Sequence, residues 1–184
     1  YIDVNGADLY ELTDDEFEEA VKKVSEGSIP CLAISGYAKT EPKMAGEGFD
    51  PKTVKAYAEK LMLRAARLGV KTIGIGSPGI RKLPEDYDRH TAWQQGKEFL
   101  EITADAASEY GMTVLLESLH DHLCNFINTP DEALDMVEEI NRPEVKLVLD
   151  FYNIKPMMKD MLDIDKYMKQ PIHTHTSGMG ENYS

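Results

Sequence analysis

The chain has 184 residues, and its 20 Lys+Arg against 33 Asp+Glu give a formal net charge of −13. With 42% hydrophobic and 29% charged residues, it has the composition of a globular chain, and its size predicts one domain with a real core. Such a charge repels phosphate, so no nucleic-acid or anionic-lipid partner is expected. No apolar run approaches the roughly 18–20 residues that span a bilayer, so no membrane partner is expected either. Tyr1–Val4 has neither the basic flank nor the long apolar stretch of a signal peptide. Cys31 and Cys124 lack C-x-x-C spacing. Buried free thiols in a reducing, cytoplasmic setting are therefore expected.

In chain order, a strand is predicted over residues 1–5. A helix over 14–25 follows, with Thr13 as N-cap and Glu16 three residues on, a capping box. Phe17, Ala20, Val21 and Val24 share one helical face. A strand over 30–35 leads into a Gly-, Lys- and Glu-rich loop over 36–49. Asp50-Pro51 then opens a helix that Gly69 ends. Residues 70–76 read as a strand, 87–110 as a helix closed by Gly111, and 112–119 as an apolar strand. Thr129-Pro130-Asp131-Glu132 is a second capping box, opening a helix to Asn141. A strand over 145–151, short helical pieces over 156–169 and a strand over 171–176 complete the order.

Alternating strands and helices, with strands that read as continuous apolar runs, predict a parallel sheet covered by helices. That pattern fits a doubly wound sheet or a (β/α)8 barrel. No G-x-G-x-x-G follows the first strand, and Gly74-Ile75-Gly76 sits in and at the end of the third, so a dinucleotide fingerprint is unsupported.

The chemistry gathers at the C-terminal ends of the later strands. Val114-Leu115-Leu116 runs into Glu117, Leu147-Val148-Leu149 runs into Asp150, and Pro171-Ile172 runs into His173-Thr174-His175. A strand puts residues i and i+2 on one face, so the two histidines share a side. In parallel α/β folds this end of the sheet carries the active site. Glu, Asp and His together suit Mn²⁺, Co²⁺, Zn²⁺ or Mg²⁺.

Several segments make the chain resemble the sugar phosphate isomerase/epimerase family of xylose isomerase-like TIM barrels. They are Gly76-Ser77-Pro78-Gly79-Ile80-Arg81-Lys82-Leu83-Pro84, the run Tyr110-Gly111-Met112-Thr113-Val114-Leu115-Leu116-Glu117, Asn128-Thr129, Asp150 and His173-x-His175. The resemblance implies a (β/α)8 TIM barrel whose second to seventh strands are the six predicted here. Residues 1–184 are then a single domain truncated at both ends, with the first strand, the eighth strand and a fourth ligand, a Glu, outside it.

The resemblance also implies one divalent ion, Mn²⁺ foremost with Co²⁺, Zn²⁺ or Mg²⁺ as alternatives, held by Glu117, Asp150 and His175. His173 is the alternative imidazole. The family's chemistry is proton transfer next to a carbonyl of a small carbohydrate through a metal-stabilised enediolate. Glu117 is the expected catalytic carboxylate, and Arg81, His173 and Asn153 are candidate substrate-binding residues.

Where the family's ketose 3-epimerases carry Asn and Glu three and six residues after the first ligand, this chain has His120 and Leu123. Their Asp-x-x-His is Asp150-Phe151-Tyr152-Asn153 here, and their later Arg is Glu181. These departures argue against a psicose- or tagatose-type epimerase. His120 and His122 each read as a general base or as a loop histidine bonded to backbone, the second reading being preferred for His122. A His base suits the related C-glycoside deglycosidase subunits acting on 3-oxo-glycosides, a lyase alternative. A non-catalytic barrel subunit is a further alternative, and a homo-oligomer or a partner subunit fits any of these readings. A nuclease of the same barrel class is disfavoured by only five histidines and a charge of −13. Arg81 also reads as a solvated loop residue. Trp93, Met157, Met158, Met161 and Met168 read as helix packing, and the acidic start of the 14–25 helix as a solvated face.

Overall fold

β1 (Ile2–Asn5), β2 (Cys31–Ser35), β3 (Thr72–Ile75), β4 (Thr113–Glu117), β5 (Val145–Asp150) and β6 (His173–His175) form one sheet in strict sequence order. Every neighbouring pair is parallel. The computed structural model of the chain describes residues 1–154, 164–167 and 173–175. Each crossover steps one strand onward in the same direction. A doubly wound sheet reverses its strand order at a switch point, and no reversal occurs among the described strands. The fold is therefore a partial barrel of the TIM type, as expected.

The crossovers from β1 to β5 run through α2 (Asp14–Glu26), α3 (Pro51–Leu68), α4 (Arg89–Ser108) and α5 (Pro130–Ile140). Their starts follow the predicted cap chemistry. Thr13 and Thr129 both close full capping boxes, with Glu16 and Glu132 as the reciprocal partners. Asp50 accepts from the backbone N–H groups of Lys52 and Thr53 at 3.3 and 3.1 Å, with Pro51 in the first turn. Gly69 (φ 87°) and Asn141 (φ 48°) end α3 and α5 in the left-handed region, where Gly and Asn meet the least steric cost. The main core lies between sheet and helices and includes Leu61, Met62, Phe99, Leu100, Val114 and Leu116, all fully buried. Cys31 and Cys124 are free and buried, as predicted. Trp93 stands edge-on to Phe126 at 6.4 Å and donates to Glu139 at 3.0 Å, so it packs as expected. The α2 acids Asp14, Asp15 and Glu16 are exposed. Among the described residues no helix is long and apolar enough to cross a membrane. Met157, Met158, Met161, Met168 and Glu181 lie outside the described residues.

Three short elements differ from the sequence expectation. α1 (Gly6–Glu11) follows β1 directly, with the Asn5 side chain accepting from the Asp8 N–H at 3.0 Å. α6 (Phe151–Ile154) begins where the strand over 145–151 was expected to continue. A 3-10 turn occupies Pro78–Ile80. The small helix α7 (Ile164–Tyr167) falls inside the predicted helical stretch.

α1 owes its C-terminal end to a distant residue. The Arg64 side chain, 6% exposed, donates through Nη1 to the carbonyls of Leu9, Tyr10 and Leu12 at 2.8–3.0 Å. These carbonyls include the orphan acceptors of a helix end, and a positive charge there also suits the helix dipole. Its contact with fully exposed Asp14 adds little. Arg64→Met should therefore lower stability in urea unfolding by about 3 kcal/mol, since charge-assisted hydrogen bonds are lost and buried carbonyls left unpaired. A change below about 1 kcal/mol, the usual range of a surface substitution, would remove Arg64 as the cap.

Candidate active site

The register of the sheet brings the expected residues to one end. Glu117, the last residue of β4, pairs with Val148, and Asp150, the last of β5, pairs with His175 of β6. Glu117 is 8% exposed. Its Oε1 accepts from Asn153 Nδ2 at 2.7 Å, and the same nitrogen lies 3.3 Å from Asp150 Oδ2. α6 makes this junction. A helical turn starting directly after the strand returns the side chain at i+3 to the side of residue i, so Asn153 folds back over Asp150. The Tyr152 N–H donates to Asp150 Oδ1 at 2.8 Å.

Directly after the neighbouring strand β3, Gly76 makes room for the carboxylate. A Cβ there would fall inside contact distance of Glu117 Oε2 and 3.0 Å from its Cδ. The carboxyl group of Glu117 is pushed up to about 7. Burial is the main cause and Asp150 adds to it, while Arg81 and the Asn153 hydrogen bond oppose it. Two adjacent carboxylates, one buried and reluctant to ionise, fit a divalent cation, whose charge would relieve both desolvation and repulsion. Among the described residues no set of three Asp, Glu, His or Cys side chains forms a metal cluster. The side chains of His173 and His175 lie outside the described residues, so the choice between the two imidazoles does too.

Arg81 differs from the solvated loop residue that was one expectation. It is fully buried, Nη1 donates to the Glu117 carbonyl at 2.6 Å, and Nη2 donates to the Ile75 carbonyl. The guanidinium ties the ends of β3 and β4 together through the carbonyls of their last residues.

His120 lies three residues past β4, half-buried, its ring 6.1 Å from Tyr152. Its Nδ1 is buried with no hydrogen-bond partner among the described residues. His122 is a solvated loop histidine, with its side chain 85% exposed and 3.8 Å from Asp121. Asn128 closes this loop by donating to the carbonyls of Leu119 and Cys124 at 2.8 and 2.9 Å. Ile127 beside it holds a φ of 59°, a strained conformation for a β-branched residue. A separate open cleft of about 540 Å³, lined by Tyr10, Lys39, Lys52 and Tyr57 among others, contains none of the expected site residues.

Sequence reasoning missed Gly76 as a partner of Glu117 and Arg81 as a buried tie. The signal for the first was present in the sequence, since a glycine ends the strand adjacent to the one that ends in the carboxylate.

Comparison with known proteins agrees with the fold. Residues 2–178 match the family model of the xylose isomerase-like TIM barrel. The chain is 25% identical over 157 residues to a D-psicose 3-epimerase of Agrobacterium fabrum, covering 83% of this chain and 54% of that protein. It is 33% identical over 117 residues to a ketose 3-epimerase of Arthrobacter globiformis, covering 61% of this chain and 40% of that protein. A crystal structure of D-psicose 3-epimerase with D-tagatose from Clostridium cellulolyticum H10 superposes with a TM-score of 0.78 at 22% identity, over 95% of this chain and 61% of that one. The last likeness is one of fold. The chain thus spans about half the length of the curated relatives it matches. Strand order and the match over 2–178 agree: the chain belongs to the xylose isomerase-like TIM barrel family.

Proposed function

We propose that this chain carries the metal-binding and proton-transfer half of a divalent-metal-dependent sugar isomerase or epimerase, with Mn²⁺ as the leading ion. The observation that carries the reading is Glu117, a buried carboxyl group at a strand end, hydrogen-bonded to Asn153 beside Asp150. A carboxylate held in place beside a bound carbonyl is suited to taking a proton from carbon and giving it back. The relatives named as ketose 3-epimerases support a keto-sugar as the substrate class.

Glu117, Asp150 and His175 would hold the ion. When bound, the ion supplies Lewis-acid polarisation of the substrate carbonyl and neutralises charge that builds up on its oxygen. Glu117 takes the proton from the carbon beside that carbonyl. Asp150 stands beside Glu117, linked to the same Asn153 amide. Arg81 holds the Glu117 backbone, so the carboxylate moves little as it changes charge.

A second reading uses His120 as the base of a lyase acting on 3-oxo-glycosides. It is favoured by the unpartnered, buried Nδ1 of His120 on the loop leaving Glu117. The two readings separate in one experiment. The full-length protein with Mn²⁺ is incubated with ketohexoses in deuterated water, and in parallel with 3-oxo-glycosides. Deuterium should enter the carbon next to the ketose carbonyl, and Glu117→Gln should slow that exchange by 10²–10⁴-fold, the usual contribution of a general base. Release of aglycone without ketose exchange, abolished by His120→Gln, would instead establish the lyase. No reaction with either class would leave the non-catalytic barrel.

A further inference from the structure

Asn153 is 5% exposed and follows Asp150 by one helical turn. An amide nitrogen has two hydrogens, and here one nitrogen faces Glu117 Oε1 at 2.7 Å and Asp150 Oδ2 at 3.3 Å. Its other end is left without a partner: Oδ1 is buried and accepts no hydrogen bond among the described residues. An unpaired buried acceptor costs about 1–3 kcal/mol. The amide orientation is therefore set by the two carboxylates and not by its own full satisfaction.

Chemistry explains why an amide stands there. A Lys or Arg would also bridge two carboxylates, but its charge would cancel theirs and compete with a cation. An amide supplies the donors and leaves the negative charge in place. The Tyr152 N–H on Asp150 Oδ1 at 2.8 Å is another neutral donor. On the far side of Glu117, the missing Cβ of Gly76 gives Oε2 its place. The Glu117 carboxylate is thus fixed on one flank by Asn153 and accommodated on the other by Gly76.

Building on the metal-dependent reading above, we propose that Asn153 is a positioning residue that locks Glu117 and Asp150 into one unit for a divalent cation without neutralising them. It acts through the carboxylates. Outer-shell partners of this type typically change metal affinity by 10–100-fold when removed.

The test is a Mn²⁺ titration of the full-length protein, following free Mn²⁺ by electron paramagnetic resonance, for the parent, Asn153→Leu and Asn153→Ala. Leu keeps the volume and removes the donor. Ala removes the donor without adding apolar bulk beside the acids, so it carries the comparison if Leu does not fold. The expected result is a Kd for Mn²⁺ raised at least tenfold in a folded variant, with a correspondingly smaller rise in melting temperature on adding Mn²⁺. A residue that only packs would lower the metal-free melting temperature and leave the Kd unchanged, and that outcome overturns the proposal. If the parent binds Mn²⁺ and the variants bind it equally well, this inference alone fails. If the parent binds none, the functional reading fails and takes this inference with it.

Discussion

Gly76→Ala should leave the protein folded and strip it of metal-dependent function. The added methyl would overlap Glu117 Oε2 and sit 3.0 Å from Glu117 Cδ. The obstructed atom is the far end of a flexible side chain, so the carboxylate can swing away at small cost in stability. It cannot swing away and still keep its bond to Asn153 and its place beside Asp150. A misplacement of about 1 Å at a reacting group costs on the order of 10²-fold in rate, so deuterium exchange and Mn²⁺ affinity should both fall by about that factor. Gly79→Ala is the control. A Cβ there would press on the backbone carbonyl of Lys39, with the carbonyl carbon at 3.1 Å, and backbone has no rotamer to escape into. That variant should lose about 1–3 kcal/mol of stability, the usual cost of overpacking. Equal Mn²⁺ affinity in Gly76→Ala and the parent would show that Glu117 is not held where the site needs it.

The metal-free protein should also become less stable as pH rises through the neutral range, and Glu117 should be the reason. Its carboxyl is pushed up to about 7 in the folded chain, from an ordinary value of 4.5. Below the ordinary value both folded and unfolded chains carry the proton, and the contribution is fully present. As pH rises, the unfolded chain ionises first and the folded chain must keep its proton or bury a charge. The contribution is therefore lost progressively up to about pH 7, by at most about 3 kcal/mol at 1.36 kcal/mol per unit. Urea unfolding of the parent and Glu117→Gln isolates this effect from the general repulsion of a chain with net charge −13. The stability of the Gln variant relative to the parent should grow between pH 4.5 and 8. Mn²⁺ should restore the parent at pH 8 and do little for the variant. Parallel pH profiles would mean that Glu117 titrates as an ordinary surface acid.

The parts of this fold that the sequence makes legible are those set by local chemistry. Thr13, Asp50 and Thr129 mark helix starts because a side-chain acceptor three residues before an amphipathic run has few other uses. Glu117 and Asp150 stand out because each carboxylate ends an apolar strand, and parallel α/β order brings such ends together. What remained hidden depends on neighbours distant in sequence. Arg81 reads as a loop cation until the carbonyls of Ile75 and Glu117 are placed around it. Asn153 reads as a departure from a family motif until α6 folds it back onto both acids. Gly76 reads as part of an unsupported dinucleotide fingerprint, and its contact with Glu117 follows from β3 and β4 lying side by side. α1 rests on Arg64, far along the chain, so no local pattern announces its end.

If Glu117 and Asp150 hold a divalent ion for proton transfer beside a carbonyl, the metal content of the purified full-length protein by elemental analysis, alongside Glu117→Gln and Asp150→Asn, will show it. A single Mn²⁺, Co²⁺ or Zn²⁺ per chain, lost from both folded variants, is the predicted result. A parent without metal after growth and purification in Mn²⁺, or variants that keep the same ion at the same occupancy, would contradict it.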